Sequence, residues 1–209
     1  MAEIVVIGGG GHAKVVISVL KKLAWEIVGY SDDLDKGVIL GVSYLGPDRV
    51  LPRVCTSQRP CSAIIALGKI DASAARDRLQ AAISALGFEL PVIVSPDAVV
   101  NEDVKLGAGT VVFDGVVVNS GTVAGSLCIL NTNSTIEHDC RLGDNVHIAP
   151  GATVSGDVSI GSECMIGAGS TIVQGVTISP GCLIGAGSLV VADIDTPGVY
   201  VGSPARRIR

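Results

Sequence analysis

Only three histidines occur in the 209-residue chain, and one stands between two acids: Glu137-His138-Asp139. A carboxylate beside an imidazole orients the ring and raises its basicity, which suits a general base working near neutral pH. His138, Asp139 and Glu137 are therefore the candidate catalytic residues. Of the others, His12 lies far away along the chain and His147 nine residues on. A zinc enzyme needs three ligands per metal, and the repeat described below offers only His138 and His147, so no metal is expected. The six cysteines show no metal-type spacing.

A second group able to do chemistry is the run Gly8-Gly9-Gly10-Gly11. Residues 3–7 before it form a short apolar strand. Residues 12–23 after it have helical spacing, with Val15, Val16, Val19, Leu20 and Leu23 apolar. Between a strand and a helix, glycine amides and the helix N-terminus face an anion together, which suits phosphate. A second strand, residues 26–30, runs into Ser31, Asp32 and Asp33. A third, residues 63–67, runs into Gly68, and a polar helix follows over about residues 72–86. This βαβαβ pattern predicts a small Rossmann-like parallel sheet over residues 1–90. Gly10, Gly11, Asp32, Asp33 and Gly68 then fall at the carboxyl ends of its strands, where such sheets bind ligands. Ala13 stands where G-x-G-x-x-G would place its third glycine, so the reading is a mononucleotide half-site rather than an NAD site. Lys69, next to Gly68, is a candidate partner for a diphosphate.

The element that must position His138 is a repeat. From Val94 to Val190 an apolar residue recurs every sixth position without an insertion, seventeen times, and all but Ala124 are branched aliphatics. At a 48% apolar background this arises by chance about four times in a million. Two positions earlier runs a column of residues no larger than valine, including Cys128, Cys140, Cys164 and Cys182. One large and one small inward residue per hexapeptide predicts a parallel β-helix of 18-residue coils over residues 91–209. Its span would be about five and a half coils, roughly 27 Å at strand spacing. The cysteines read as small buried hydrophobes. Ile160 reads as core, whereas Glu163 lies outside both inward columns and reads as solvated. Cys55 and Cys61 receive no role.

Composition agrees. Aromatics are 3% and glycines number 27, which favours a repetitive β architecture over a helical bundle. A net charge of −5 argues against a nucleic-acid surface. The uncharged stretch 164–192 is too rich in glycine for a membrane span, and no targeting segment is visible, so a cytoplasmic protein without membrane insertion is expected.

The repeat resembles the hexapeptide-repeat proteins, which implies that the β-helix is left-handed. The whole chain resembles bacterial sugar acetyltransferases of the NeuD/PglD-like family. The residues that carry this are GGGGHAK (8–14), SDD (31–33), LNTNSTIEHDC (130–140), HIAPGA (147–152) and VGSPARRI (201–208). The resemblance implies an acetyl-CoA-dependent N-acetyltransferase acting on the 4-amino group of a nucleotide-linked amino-dideoxy sugar, by direct transfer with His138 as base. It implies that Gly10, Gly11, His12, Asp32, Asp33 and Gly68 hold the nucleotide sugar, and that Asn131 lies near the acceptor. His147 is implied near the thioester, with Gly156, Ala168 and Ala186 lining the pantetheine groove. Arg206, Arg207 or Arg209 is implied at the CoA phosphates. It further implies a homotrimer with sites between subunits. Two other readings keep the same fold: O-acetylation of a sialic-acid-like sugar, and a non-catalytic nucleotide-binding scaffold.

Overall fold

The computed structural model describes residues 3–54, 62–69 and 75–209. Cys55, Cys61 and the start of the predicted polar helix lie outside the described residues. The chain divides by its contacts into two units. Among the described residues the first holds 3–54, 62–68 and 75–96, and the second holds Lys69 and 97–209.

In the first unit, β1 (Glu3–Ile7), α1 (Gly11–Lys22), β2 (Glu26–Ser31), β3 (Tyr44–Gly46), α2 (Leu51–Val54), β4 (Ser62–Ile65) and α3 (Ala75–Ala85) follow in order. The strands form a parallel sheet ordered β3-β2-β1-β4. Ile4, Val5, Val6 and Ile7 are all buried, because a central parallel strand is covered on both faces and reads as an unbroken apolar run. The helix α1 buries Ala13, Val16, Ile17, Val19 and Leu20. Val15 and Leu23, expected on the apolar face, are exposed, and Ile17 takes the buried place. The strand β3 has no counterpart in the sequence reading. It is three residues long and pairs only at Tyr30 and Ser31, too short to display a period.

Because β2 and β4 flank β1 on opposite sides, the chain leaves the end of β1 at a topological switch point. Gly8 stands there at φ 109°, a conformation that favours glycine, and a methyl group on it would come within 2.7 Å of Leu67 Cδ1.

The second unit is a triangular parallel β-helix. From Val99–Val100 to Leu189–Val190 there are sixteen two-residue strands distributed over three sheets. The first thirteen each pair with the strand 18 residues on, as Ile129 with His147 and Leu130 with Ile148. The large inward column from Val112 to Val190 is buried. Each such branched side chain contributes roughly 1.5–3 kcal/mol of transfer free energy. The small column does more than fill space. Thr122 Oγ1 donates to the Glu137 carbonyl at 2.8 Å, and Cys140 Sγ reaches the Ser155 carbonyl at 3.2 Å, each 15 residues on. Thr110, Thr122, Cys128, Cys140, Cys164 and Ser170 of this column each satisfy a carbonyl that turns inward at a corner.

A further column was not foreseen. Three residues after each large inward residue from Val100 to Ile184 the backbone is left-handed, as at Asn133, Asp139, Asn145, Gly151, Asp157 and Glu163. Asn, Asp and Gly recur there because they tolerate that region. The last strands, Val199–Gly202 and Ala205–Arg207, form a hairpin that pairs with Leu183–Ile184. No described helix is long and apolar enough to cross a membrane.

Candidate functional site

The first unit carries a cleft of about 490 Å³ at the glycine loop, lined by Gly9, Gly10, Gly11, Lys14, Lys36 and residues 38–40. Asp32 closes the loop: its Oδ2 accepts from the Gly9 amide at 2.7 Å and its Oδ1 from the Leu34 amide at 3.0 Å. The Leu34 amide, helped by that of Gly9, holds the Asp32 carboxyl below the usual aspartate range. The buried Tyr30 fixes the strap opposite, accepting from the Lys36 amide and donating to the Gly37 carbonyl, each at 2.9 Å. Gly68 lies beside His12: a methyl on Gly68 would stand 3.9 Å from His12 Cβ. Gly10, Gly11, His12, Asp32 and Gly68 thus gather at the carboxyl ends of β1, β2 and β4. Asp33 is exposed; like His12, Asp32 and Gly68 it is not among the residues that line the cleft itself. Lys14 and Lys36 were missed; Lys14 had a signal, standing one helical turn into the segment after the glycines.

In the second unit, His138 Nδ1 lies 2.9 Å from Asp139 Oδ2, on a corner of the β-helix. This hydrogen bond, with the neighbouring charges of Asp139, Glu137 and Asp157, raises the His138 pKa above that of a free imidazole. With Nδ1 on the carboxylate, Nε2 is left to accept a proton. The ring lies over Gly156, where a methyl group would come within 2.6 Å of Nε2. Glu137 is steadied by an amide ladder at 18-residue spacing. Asn101 donates to Asn119 at 2.7 Å, and Asn119 donates to Glu137 Oε2 at 2.8 Å. That spacing was the missed signal for Asn119. Cys140, two residues from His138, is fully buried, and burial pushes its thiol pKa up, while Cys164 is pushed up to about 12. Burial therefore disfavours the thiolate at both.

His147 is buried on another face, with both ring nitrogens engaged. The Lys69 carbonyl, 2.7 Å from Nδ1, can only accept, so Nδ1 carries the proton. The Asn131 amide then donates to Nε2 at 3.1 Å, and Asn131 Oδ1 accepts from the Thr132 amide at 2.8 Å. Asn131 therefore stands with His147, not with His138. Gly156 shares the His138 corner, whereas Ala168 and Ala186 are 18 residues apart on a different corner. Arg206 and Arg207 border a small cleft with residues 190–194.

Two expectations are corrected. The Lys69 ammonium does not project toward a diphosphate; it is buried and paired with Glu163 Oε2 at 2.7 Å. Glu163 is accordingly not a solvated bystander, since Asn145 Nδ2 also donates to its two oxygens at 3.0 and 3.1 Å. Among the described residues no group of three or more His, Cys, Asp or Glu side chains converges as a metal site requires.

Comparison with known proteins agrees with both halves. Residues 3–80 match the PglD N-terminal domain, and residues 121–156 and 157–192 match the bacterial transferase hexapeptide repeats, which places the chain among hexapeptide transferases. The acetyltransferase domain of PglB from Neisseria gonorrhoeae is 35% identical, with a TM-score of 0.93 and full coverage of both chains; it has also been solved with acetyl coenzyme A. PerB from Caulobacter crescentus, solved with CoA and GDP-perosamine, is 35% identical over all of this chain and 98% of its own, with a TM-score of 0.92. GDP-perosamine N-acetyltransferase of Escherichia coli is 34% identical over 77 residues, 37% of this chain. The matched stretches span about a third or less of the curated relatives' own lengths. The chain belongs to the PglD-like family of bacterial sugar acetyltransferases, in which a parallel-sheet domain precedes a parallel β-helix of hexapeptide repeats.

Proposed function

We propose that this protein transfers the acetyl group of acetyl-CoA to the 4-amino group of a nucleotide-linked amino-dideoxy sugar. The observation that carries the reading is the His138–Asp139 pair, 2.9 Å apart, with Nε2 open over Gly156. The similarity to a chain solved with CoA and GDP-perosamine supports the substrate class. In the direct reaction the acceptor amine attacks the thioester carbonyl. His138 Nε2 takes the proton from the attacking nitrogen, the tetrahedral intermediate collapses, and CoA leaves as its thiol with that proton. The glycine-loop domain, residues 1–90, holds the nucleotide sugar through Gly10, Gly11, His12, Asp32 and Gly68. The β-helix domain, residues 91–209, holds acetyl-CoA near His147, Gly156, Ala168 and Ala186. No step needs a metal ion, and the work is placed in the cytoplasm.

The same reading makes the protein a homotrimer with three shared sites. His138 and His147 are nine residues apart, half of an 18-residue coil, so one chain cannot easily turn both into one site. More than half of the His138 side chain is exposed in a single chain, which leaves room for a neighbour to complete the pocket. The test is release of free CoA thiol from acetyl-CoA with GDP-perosamine, other nucleotide 4-amino sugars, and free sialic acids as acceptors. Turnover with an amine is expected. Turnover confined to sialic acid hydroxyls, or none with any acceptor, would overturn it.

A further inference from the structure

A chain of side chains within the second unit ends on His147, which the proposed function places near acetyl-CoA, and on Asn131, which the family resemblance implies near the acceptor. Asn145 and Lys69 both bond Glu163. Lys69 offers its carbonyl to His147 Nδ1, and His147 Nε2 takes an N–H of Asn131. Lys69, Asn145 and His147 are buried. Glu163 stands at one of the left-handed turn positions, with φ 65°. A buried ammonium needs a counter-charge, so Glu163 fixes where the Lys69 ammonium lies.

We propose that the Lys69–Glu163 ion pair is a positioning device for His147 and, through it, for Asn131. The pair holds the Lys69 carbonyl against Nδ1 and so keeps the proton there. This presents the Nε2 lone pair to the Asn131 amide. Asn131 Oδ1 is already committed to Thr132, so the amide has one orientation that satisfies both ends. Its second N–H then points in one direction, available to the substrates. Releasing the Lys69 carbonyl removes the reason for the Nδ1–H tautomer. The alternative tautomer puts Nε2–H against Asn131 N–H, and the amide must turn. This inference rests on the proposed acetyl transfer only for its kinetic consequence; the ring geometry is independent of it.

The test therefore has two arms. Three histidines give a simple long-range proton–nitrogen NMR spectrum, in which the two tautomers have distinct nitrogen shifts. Wild-type His147 is expected as the Nδ1–H tautomer alone. The double variant Lys69→Met/Glu163→Gln removes both charges and leaves no lone buried ion, so it should remain folded. It is expected to show mixed His147 tautomers and a kcat about tenfold lower, with the acetyl-CoA KM changed less than twofold. Lys69→Arg, which keeps a cation for Glu163, should recover both readouts. An Nε2–H tautomer in the wild type would overturn the proposal whatever the variants do. So would a folded double variant that keeps the single Nδ1–H signal, or one that loses it with kcat unchanged. If no acceptor supports turnover, the proposed function fails while the tautomer spectra still decide the ring geometry.

Discussion

Asp139 does two things at once with respect to His138: its carboxylate takes Nδ1 at 2.9 Å, while its own backbone fills a left-handed turn position at φ 60°. Asn133 and Asn145 fill equivalent positions one hexapeptide before and after. The turn therefore accepts asparagine, and only the charge is specific to the pair with His138.

Asp139→Asn should leave the melting temperature nearly unchanged and alter the pH profile. A His whose pKa is raised stays protonated to higher pH, so the base form, and with it kcat/KM, appears only above that raised value. Without the carboxylate the rising limb should move to lower pH, and the plateau kcat should fall about 10- to 100-fold as basicity and orientation are lost. A pH–rate profile of both proteins checks this, and an unmoved limb would separate Asp139 from the base.

His138→Ala should lower kcat by at least about 100-fold, the usual range for a lost general base, with nucleotide-sugar and CoA binding nearly intact. Steady-state kinetics and direct titration of each ligand decide it. Near-wild-type kcat would remove His138 from the mechanism.

Gly156→Ala places a methyl within 2.6 Å of His138 Nε2. The exposed ring can swing away, so stability should hold while kcat drops about tenfold or more, in line with the sensitivity of proton transfer to placement. Paired measurement of melting temperature and kcat would show whether the two separate.

Ile160→Asp should abolish soluble expression, because it sets a charge among stacked branched side chains. Glu163→Ala should also destabilise, by about 2–3 kcal/mol. It strands the buried Lys69 ammonium, and the figure is reduced because Glu163 is partly exposed. Denaturant titration of Glu163→Ala distinguishes this from the neutral outcome that its place in the repeat suggests.

Co-expressed His138→Ala and His147→Ala chains should partly regain activity. Either mixed trimer contains one interface bearing both wild-type histidines. Verified mixed trimers that stay inactive would exclude the shared site.

The β-helix and the His138–Asp139 pair were legible because each is local or periodic. A six-residue period fixes every contact between residues 18 apart, so Ile129 beside His147 follows from register alone. His138 and Asp139 are neighbours in sequence, and one turn brings their side chains together. The glycine loop was equally plain, since a strand, glycines and a helix occupy twenty consecutive residues. The edge strand β3 was not, because three residues carry no period. Nor was the role of Lys69, whose partners Glu163 and His147 lie 94 and 78 residues away. No repeat relates residue 69 to the β-helix, so no pattern could place its ammonium on Glu163 or its carbonyl on His147. Sequence determined which residues stack, because stacking follows from a period. Tertiary structure alone decided which way His147 holds its proton, because that depends on where an unrelated segment of chain brings a carbonyl.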